Sequence, residues 1–113
     1  MKKFIVIYHA NDDAMKFMES STPEQRKEGM AGWMVWAQKC GDKLVDMGAP
    51  LMGGQLLTPD GKTQNSTKGV NGYSVLQAEN MAEAVSLLQH HPHLAWNAGC
   101  TIEVHETMPL PGM

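Results

Sequence analysis

The chain has 113 residues, 42% of them hydrophobic and 19% charged, and nine Lys and Arg against twelve Asp and Glu leave a net charge of −3. One domain is implied, because at this length a folded chain hides roughly two-thirds of its surface and needs no disulfide or structural metal to hold a core. Weak acidity with scattered Lys and Arg excludes the basic footprint that nucleic acid or an anionic membrane surface requires, so neither is an expected partner. No apolar run approaches the roughly 18 residues of a membrane helix. The stretch Phe4 to Tyr8 is cut short by His9, Asn11, Asp12 and Asp13, so neither a span nor a signal peptide is expected. Cys40 and Cys100 form no CxxC and read as free, buried thiols of a cytoplasmic protein.

Residues 3–9, KFIVIYH, are β-branched and aromatic, and Asn11-Asp12-Asp13 closes them in a turn, which predicts a first strand. It is apolar on both faces, Phe4, Val6 and Tyr8 against Ile5 and Ile7, as befits a central strand covered on both sides. Thr22, Pro23 and Gln25 then supply a cap, a first-turn proline and the third residue of a capping box, so a helix starts there. Met30, Trp33, Ala37, Cys40, Leu44 and Met47 recur every three or four residues, one apolar stripe down a helix that runs to Gly48 with Pro50 beyond. Gly29, Gly32 and Gly41 each cost that helix up to about 1 kcal/mol, so it depends on packing.

Residues 51–57, LMGGQLL, read as a second strand, and Thr58-Pro59-Asp60-Gly61-Lys62 as a turn in which Pro sets φ and Asp-Gly permits positive φ. Residues 62–69 are polar and aperiodic, a flexible exposed loop. A third strand spans Gly72 to Ala78, and Asn80 with Glu83 caps a second helix with Met81, Ala84, Val85 and Leu88 on its apolar side, ending before Pro92. Residues 100–106, CTIEVHE, form the fourth strand, and residues 108–113 a C-terminal arm. The order β-α-β-β-α-β predicts a ferredoxin-like α+β fold, a single domain over residues 1–113 with a four-stranded antiparallel sheet and both helices on one face. The other face would then lie open although the first strand is apolar there too. A second copy is the economical cover, so a homodimer packed sheet to sheet is expected.

The opening KKFIVIYHA, the helix text GWMVWAQKCGDKLVDMGAP, the segment GYSVLQAENMAEAVSLLQ and the ending HPHLAWNAGCTIEVHE together resemble the YCII-related family of small dimeric α+β barrel proteins. The likeness covers nearly the whole chain apart from the polar loop and the arm. It implies a ferredoxin-like protomer, a dimer and a cleft between sheet and first helix. Some members are proposed to use a His and Asp pair, and the match for the Asp falls on Asp46, in VDMG. The helical His does not carry over, since residues 23–48 contain none, and the DGPF signature of another branch is absent.

The candidate site residues follow from both readings. Trp33 lies on the apolar stripe and Trp36 off it, two indoles able to wall a pocket and offer ring faces or N–H donors. Tyr8 and His9, at the end of the first strand, join them as candidate ligand-binding residues. Asp46, near the predicted helix end where the macrodipole disfavours an anion, and His93, which the resemblance sets at the cleft rim, are the candidate acid and base. The run His90-His91-Pro92-His93 converges poorly for a metal, and His9 and His105 belong at opposite ends of antiparallel neighbours, so no metal site is expected. Thr101, Glu103 and His105 share one face of the last strand, read as a solvated edge. The ten methionines serve as gap fillers. With no GxGxxG and no P-loop, no cofactor is implied. Two functions remain: binding of a small, partly apolar molecule beside Trp36 and Asp46, or a cofactor-independent lyase, isomerase or hydrolase using Asp46 or His93 for proton transfer.

Overall fold

The computed structural model describes residues 1–112; Met113, the last residue of the predicted arm, lies outside the described residues. In chain order the elements are β1 (Lys2–Ala10), α1 (Asp12–Glu19), α2 (Pro23–Cys40), β2 (Leu44–Pro50), β3 (Gln55–Leu57), β4 (Thr63–Asn65), β5 (Val70–Ala78), α3 (Met81–Leu88), α4 (Pro92–Trp96) and β6 (Cys100–Glu106). Strands β2, β5, β1 and β6 pair in that order, every neighbour antiparallel. This is the ferredoxin-like α+β architecture, with a separate β3–β4 hairpin inserted before its third strand.

The side chains of β1 and β5 alternate as a half-covered sheet dictates. Phe4, Val6, Tyr8, Leu76 and Ala78 are buried against Trp36 and Cys40 of α2 and Ala84 and Leu88 of α3. The indole N–H of Trp36 donates to the carbonyl of Leu87 at 2.9 Å, tying the two helices together. On the outer face Ile5 sits beside Val75 and Ile7 beside Tyr73, and Ile5 keeps 36% of its surface exposed. The molecule is only 19 Å along its thinnest axis, room for one sheet and one helical layer. Both cysteines are buried and unpaired, and burial pushes their thiols up, which keeps them inert. No helix among the described residues is long and apolar enough to cross a membrane.

The structure corrects three expected elements. The capping box of Thr22 and Gln25 forms as read, but α2 stops at Cys40 on Gly41, whose φ of 57° suits glycine. Leu44 and Met47 therefore belong to β2, not to the helical stripe. Register shifts on either side of Asp46 place inward-facing Leu44 and Met47 three residues apart, a spacing that imitates a helix. Residues 51–57 do not make the second sheet strand, because β2 ends at Pro50 and only Gln55–Leu57 is extended. Residues 63–65 of the expected loop pair with it around the predicted Thr58–Lys62 turn, closed by Thr58 N–H to the Lys62 carbonyl at 3.0 Å. Asn11 opens a helix rather than a turn: its side chain accepts the Ala14 N–H at 2.9 Å, and Asp12 and Asp13 lie in the favourable first turn.

Gly48 makes the β2 irregularity possible. Its φ is 79°, and a Cβ there would sit 1.7 Å from the carbonyl oxygen of Tyr73. Gly48→Ala is expected to cost at least about 3 kcal/mol. Gly53→Ala, at φ 66° with nothing near its Cβ, is expected to cost only about 1–2 kcal/mol. Urea denaturation of the two variants measures this, and equal losses would refute the role given to the Tyr73 contact.

Candidate functional site

Four buried groups beneath the helices are connected in one direction. The Ser74 hydroxyl donates to the Met47 carbonyl at 2.7 Å, and its single proton is thereby committed. Tyr8 must then donate to Ser74, at 2.8 Å, and its oxygen is free to accept from Nε2 of His91, at 3.3 Å. At the other end Nδ1 of His91 accepts the backbone N–H of His93 at 2.9 Å, capping α4. That fixes a neutral ring carrying its proton on Nε2. Burial, with His93 close by, lowers the His91 pKa to about 3. Around this chain the rings of Trp33, Trp36, His91 and His93 pack edge to face or tilted on one another and on Tyr8, with Trp36 4.4 Å from His91 and Trp33 4.9 Å from Tyr8.

Tyr8 and His93 form the floor of a cleft of about 590 Å³ between α2 and the sheet. Its walls are Gly29, Met30, Trp33 and Met34 of α2 on one side and Met47 to Pro50 of β2 on the other, with Met18, Trp96 and Tyr73 at the ends. Gly29 is small for a reason, since a Cβ there would lie 3.1 Å from the Trp96 ring. Polar groups are few, as in most small-molecule sites. His93 donates Nε2–H to the His9 carbonyl at 2.8 Å, which leaves Nδ1 with the lone pair. Burial pushes its pKa below the ordinary histidine value, against hydrogen bonds to the His9 and Thr101 backbone, so at pH 7 it is a neutral base. Asn71 Oδ1 and Trp96 Nε1, both on lining residues, are buried without a hydrogen-bond partner.

The sequence-predicted residues divide. Tyr8, Trp33 and His93 meet in the cleft. Of the two candidate tryptophans only Trp33, partly buried on the apolar stripe, lines the cleft, while Trp36, off the stripe, is 4% exposed in the core. One turn of α2 separates them, both rings pack on His91, and the helix is turned so that only the Trp36 N–H reaches the Leu87 carbonyl. Asp46 is not at a helix end; it is an exposed residue of β2, level with Val75. One carboxylate oxygen accepts the Gly48 N–H at 2.8 Å and the other the Tyr73 hydroxyl at 3.3 Å, and it is not among the residues that line the cleft. His9 lines a different hollow, of about 600 Å³, with Asp12, Lys68, Thr101 and Glu103. Its Nδ1 donates to the Lys68 carbonyl at 2.9 Å. Its Nε2 lies 2.8 Å from the Glu103 carboxylate, a contact too poorly aligned to count as a hydrogen bond. Among the described residues no group of three or more His, Cys, Asp or Glu is arranged to hold a metal ion. The sequence reading missed Arg26, Asn71 and Trp96 as lining residues and His91 as the keystone beneath them. The Asn11 cap could have revealed α1 and hence Met18; nothing local marks an imidazole as a helix cap.

The chain is similar in structure to 5-chloro-2-hydroxyhydroquinone dehydrochlorinase (TftG) from Burkholderia phenoliruptrix AC1100, solved in complex with 2,5-dihydroxybenzoquinone. The TM-score is 0.52 at 16% identity, over 89% of this chain and 90% of that one. The likeness is one of fold. No protein-family model and no curated protein matches the chain.

A neutral buried His91 makes stability acid-sensitive. Its folded pKa lies below the unfolded value near 6.5, so its contribution is complete above pH 6.5 and is lost as pH falls toward 3, at about 1.4 kcal/mol per pH unit. Asn in its place can still cap α4 but does not titrate. The His91→Asn variant should be less stable than the parent at pH 7 and show a shallower loss from pH 6.5 to 4 in urea titrations. Parallel pH profiles would contradict the assignment.

Proposed function

We propose that the chain is a YCII-related homodimeric protein that binds a small, partly apolar, ring-shaped molecule in the cleft between α2 and the sheet. The observation that carries this reading is the cleft itself: two indoles, two tyrosines and four methionines around one neutral histidine. Flat rings gain from aromatic faces, and methionine walls adapt to irregular shapes. The structural likeness to an enzyme solved with a dihydroxybenzoquinone supports a ring-sized ligand.

A second reading, a cofactor-independent enzyme acting by proton transfer, is favoured by His93. Its tautomer is held by the His9 carbonyl, so its other nitrogen is a base at neutral pH. Asp46, bound to Gly48 and Tyr73 outside the cleft, is the weaker candidate for that step.

Binding is tested by calorimetric titration of 2,5-dihydroxybenzoquinone and hydroxylated naphthalenes. The expectation is saturable binding that Trp33→Ala weakens about tenfold or more and Asp46→Asn leaves unchanged. Absence of binding by every probe, or an Asp46→Asn effect as large as that of Trp33→Ala, would overturn the cleft reading. If a probe is turned over, His93→Gln should abolish turnover while keeping binding.

The homodimer reading rests on the outer sheet face, where Ile5 and Ile7 lie beside Val75 and Tyr73 and none of the four belongs to the buried core. Sedimentation equilibrium at micromolar concentration should give twice the chain mass, and Ile5→Glu with Val75→Glu should halve it. A monomeric parent chain refutes the dimer without touching the cleft.

A further inference from the structure

The charge in the cleft does not follow the charge of the chain. The protein is acidic overall, yet no Asp or Glu lines the cleft, and the one formally charged lining residue is Arg26, the only arginine in the sequence. Arg26 is exposed on α2, one helical turn before Gly29 and the Trp96 ring packed over it. Its Nε donates to the Ser21 hydroxyl at 3.2 Å, and that hydroxyl donates to the Met18 carbonyl at 2.6 Å. The base of the guanidinium is therefore held at the cleft by α1. Among the described residues Arg26 makes no ion pair, so the remaining N–H donors of its planar fork are uncommitted.

A second observation marks the same end as unfinished. The Trp96 indole N–H, a donor on a lining residue, has no partner, which suits an anionic oxygen, whereas the unpaired Asn71 Oδ1, whose amide N–H donates to the Met18 sulfur at 3.5 Å, is an acceptor and calls for a donor such as a ligand hydroxyl. Buried polar atoms without partners are costly, and native proteins rarely leave them so. Away from this end the walls are apolar and His93 is neutral.

We propose that the cleft selects a small apolar anion, an aromatic carboxylate or an acidic phenol, with Arg26 as the counter-charge for its anionic oxygen. The ring lies along Trp33 and the methionines, and the anionic group meets the guanidinium fork of Arg26 at the Trp96 end. This rests on the cleft being the binding site, and it adds the charge of the ligand and the residue that reads it. An arginine matches a carboxylate with two parallel N–H donors, and a charge-assisted pair is about twice as strong as a neutral one.

The test is a matched pair of probes, 6-hydroxy-2-naphthoate and 6-hydroxy-2-naphthamide, which share shape and differ in charge. Calorimetric titration at low salt should show the carboxylate binding the parent protein about tenfold tighter than the amide. Arg26→Gln should remove that preference by weakening the carboxylate far more than the amide, while Arg26→Lys keeps part of it. Arg26 is exposed, so neither variant threatens the fold, and added salt should weaken only the carboxylate. Equal affinity of the two probes for the parent protein, or a preference that survives in Arg26→Gln, overturns the anion proposal and leaves the cleft standing. Binding of neither probe overturns the cleft reading and the proposal together.

Discussion

The hydroxyl of Tyr8 is the group on which the interior of this protein turns. It is fully enclosed, and burial holds it well above its ordinary pKa, so it stays a phenol with one proton to give. That proton goes to Ser74, whose own goes to the Met47 carbonyl, and its lone pair takes the proton of His91. In a low-dielectric interior each of these groups would be expensive alone and becomes supportive only when all are satisfied. The network joins β1, β5, β2 and the loop before α4. It therefore sets the height of β2 against β5 where the Gly48 irregularity lets the Met47 carbonyl turn inward.

The same chain shapes the cleft. His91 uses both ring nitrogens, one on Tyr8 and one on the His93 backbone N–H, which places the first turn of α4 against the sheet and turns His93 toward the cleft. His93 is then fixed by the His9 carbonyl at the end of β1. Two histidines on either side of Pro92 thus divide the work: His91 is consumed in structure, while His93 keeps a lone pair. Because both are driven toward neutrality by burial, the floor of the cleft carries no positive charge at pH 7. What charge the site has comes from Arg26 at its edge.

Much of the fold was legible because its signals are local. The two-sided apolarity of β1, the Thr22 capping box, the Asn80 cap and the alternation in β6 each depend on a few neighbouring residues. Errors arose where tertiary structure overrides a local period. The helical stripe through Leu44 and Met47 is real as spacing, but Gly41 breaks the helix and a bulged strand reproduces the interval. The candidate site was legible in part, for Tyr8, Trp33 and His93 line one cleft. Trp36 went to the core although it lies off the stripe, because a stripe does not say which of two indoles finds a polar partner, and the Leu87 carbonyl decides that for Trp36. Asp46 left the site once its helix became a strand. His91 as a cap had no signal at all, since an imidazole serves there only when the fold delivers the N–H to it.

The rigidity of the cleft is uneven, and that bears on how it discriminates. Four of the ten methionines, Met18, Met30, Met34 and Met47, stand on its walls, and Met30 and Met34 are about half exposed. Unbranched thioethers repack at little cost, so these walls accept rings of differing outline. The floor is the opposite: Tyr8 and His93 are locked by hydrogen bonds to groups that cannot yield without unsatisfying others. Shape selection by the walls is accordingly weak, and a hydrophobic contact differing by one methylene changes affinity by only about 1–3 kcal/mol. Stronger discrimination has to come from fixed polar groups, because a ligand that fails to meet them leaves buried donors or acceptors unpaired. On the proposed reading of the cleft, specificity would therefore reside in its few polar groups, His93, Asn71, Trp96 and Arg26, rather than in the larger apolar surface between them.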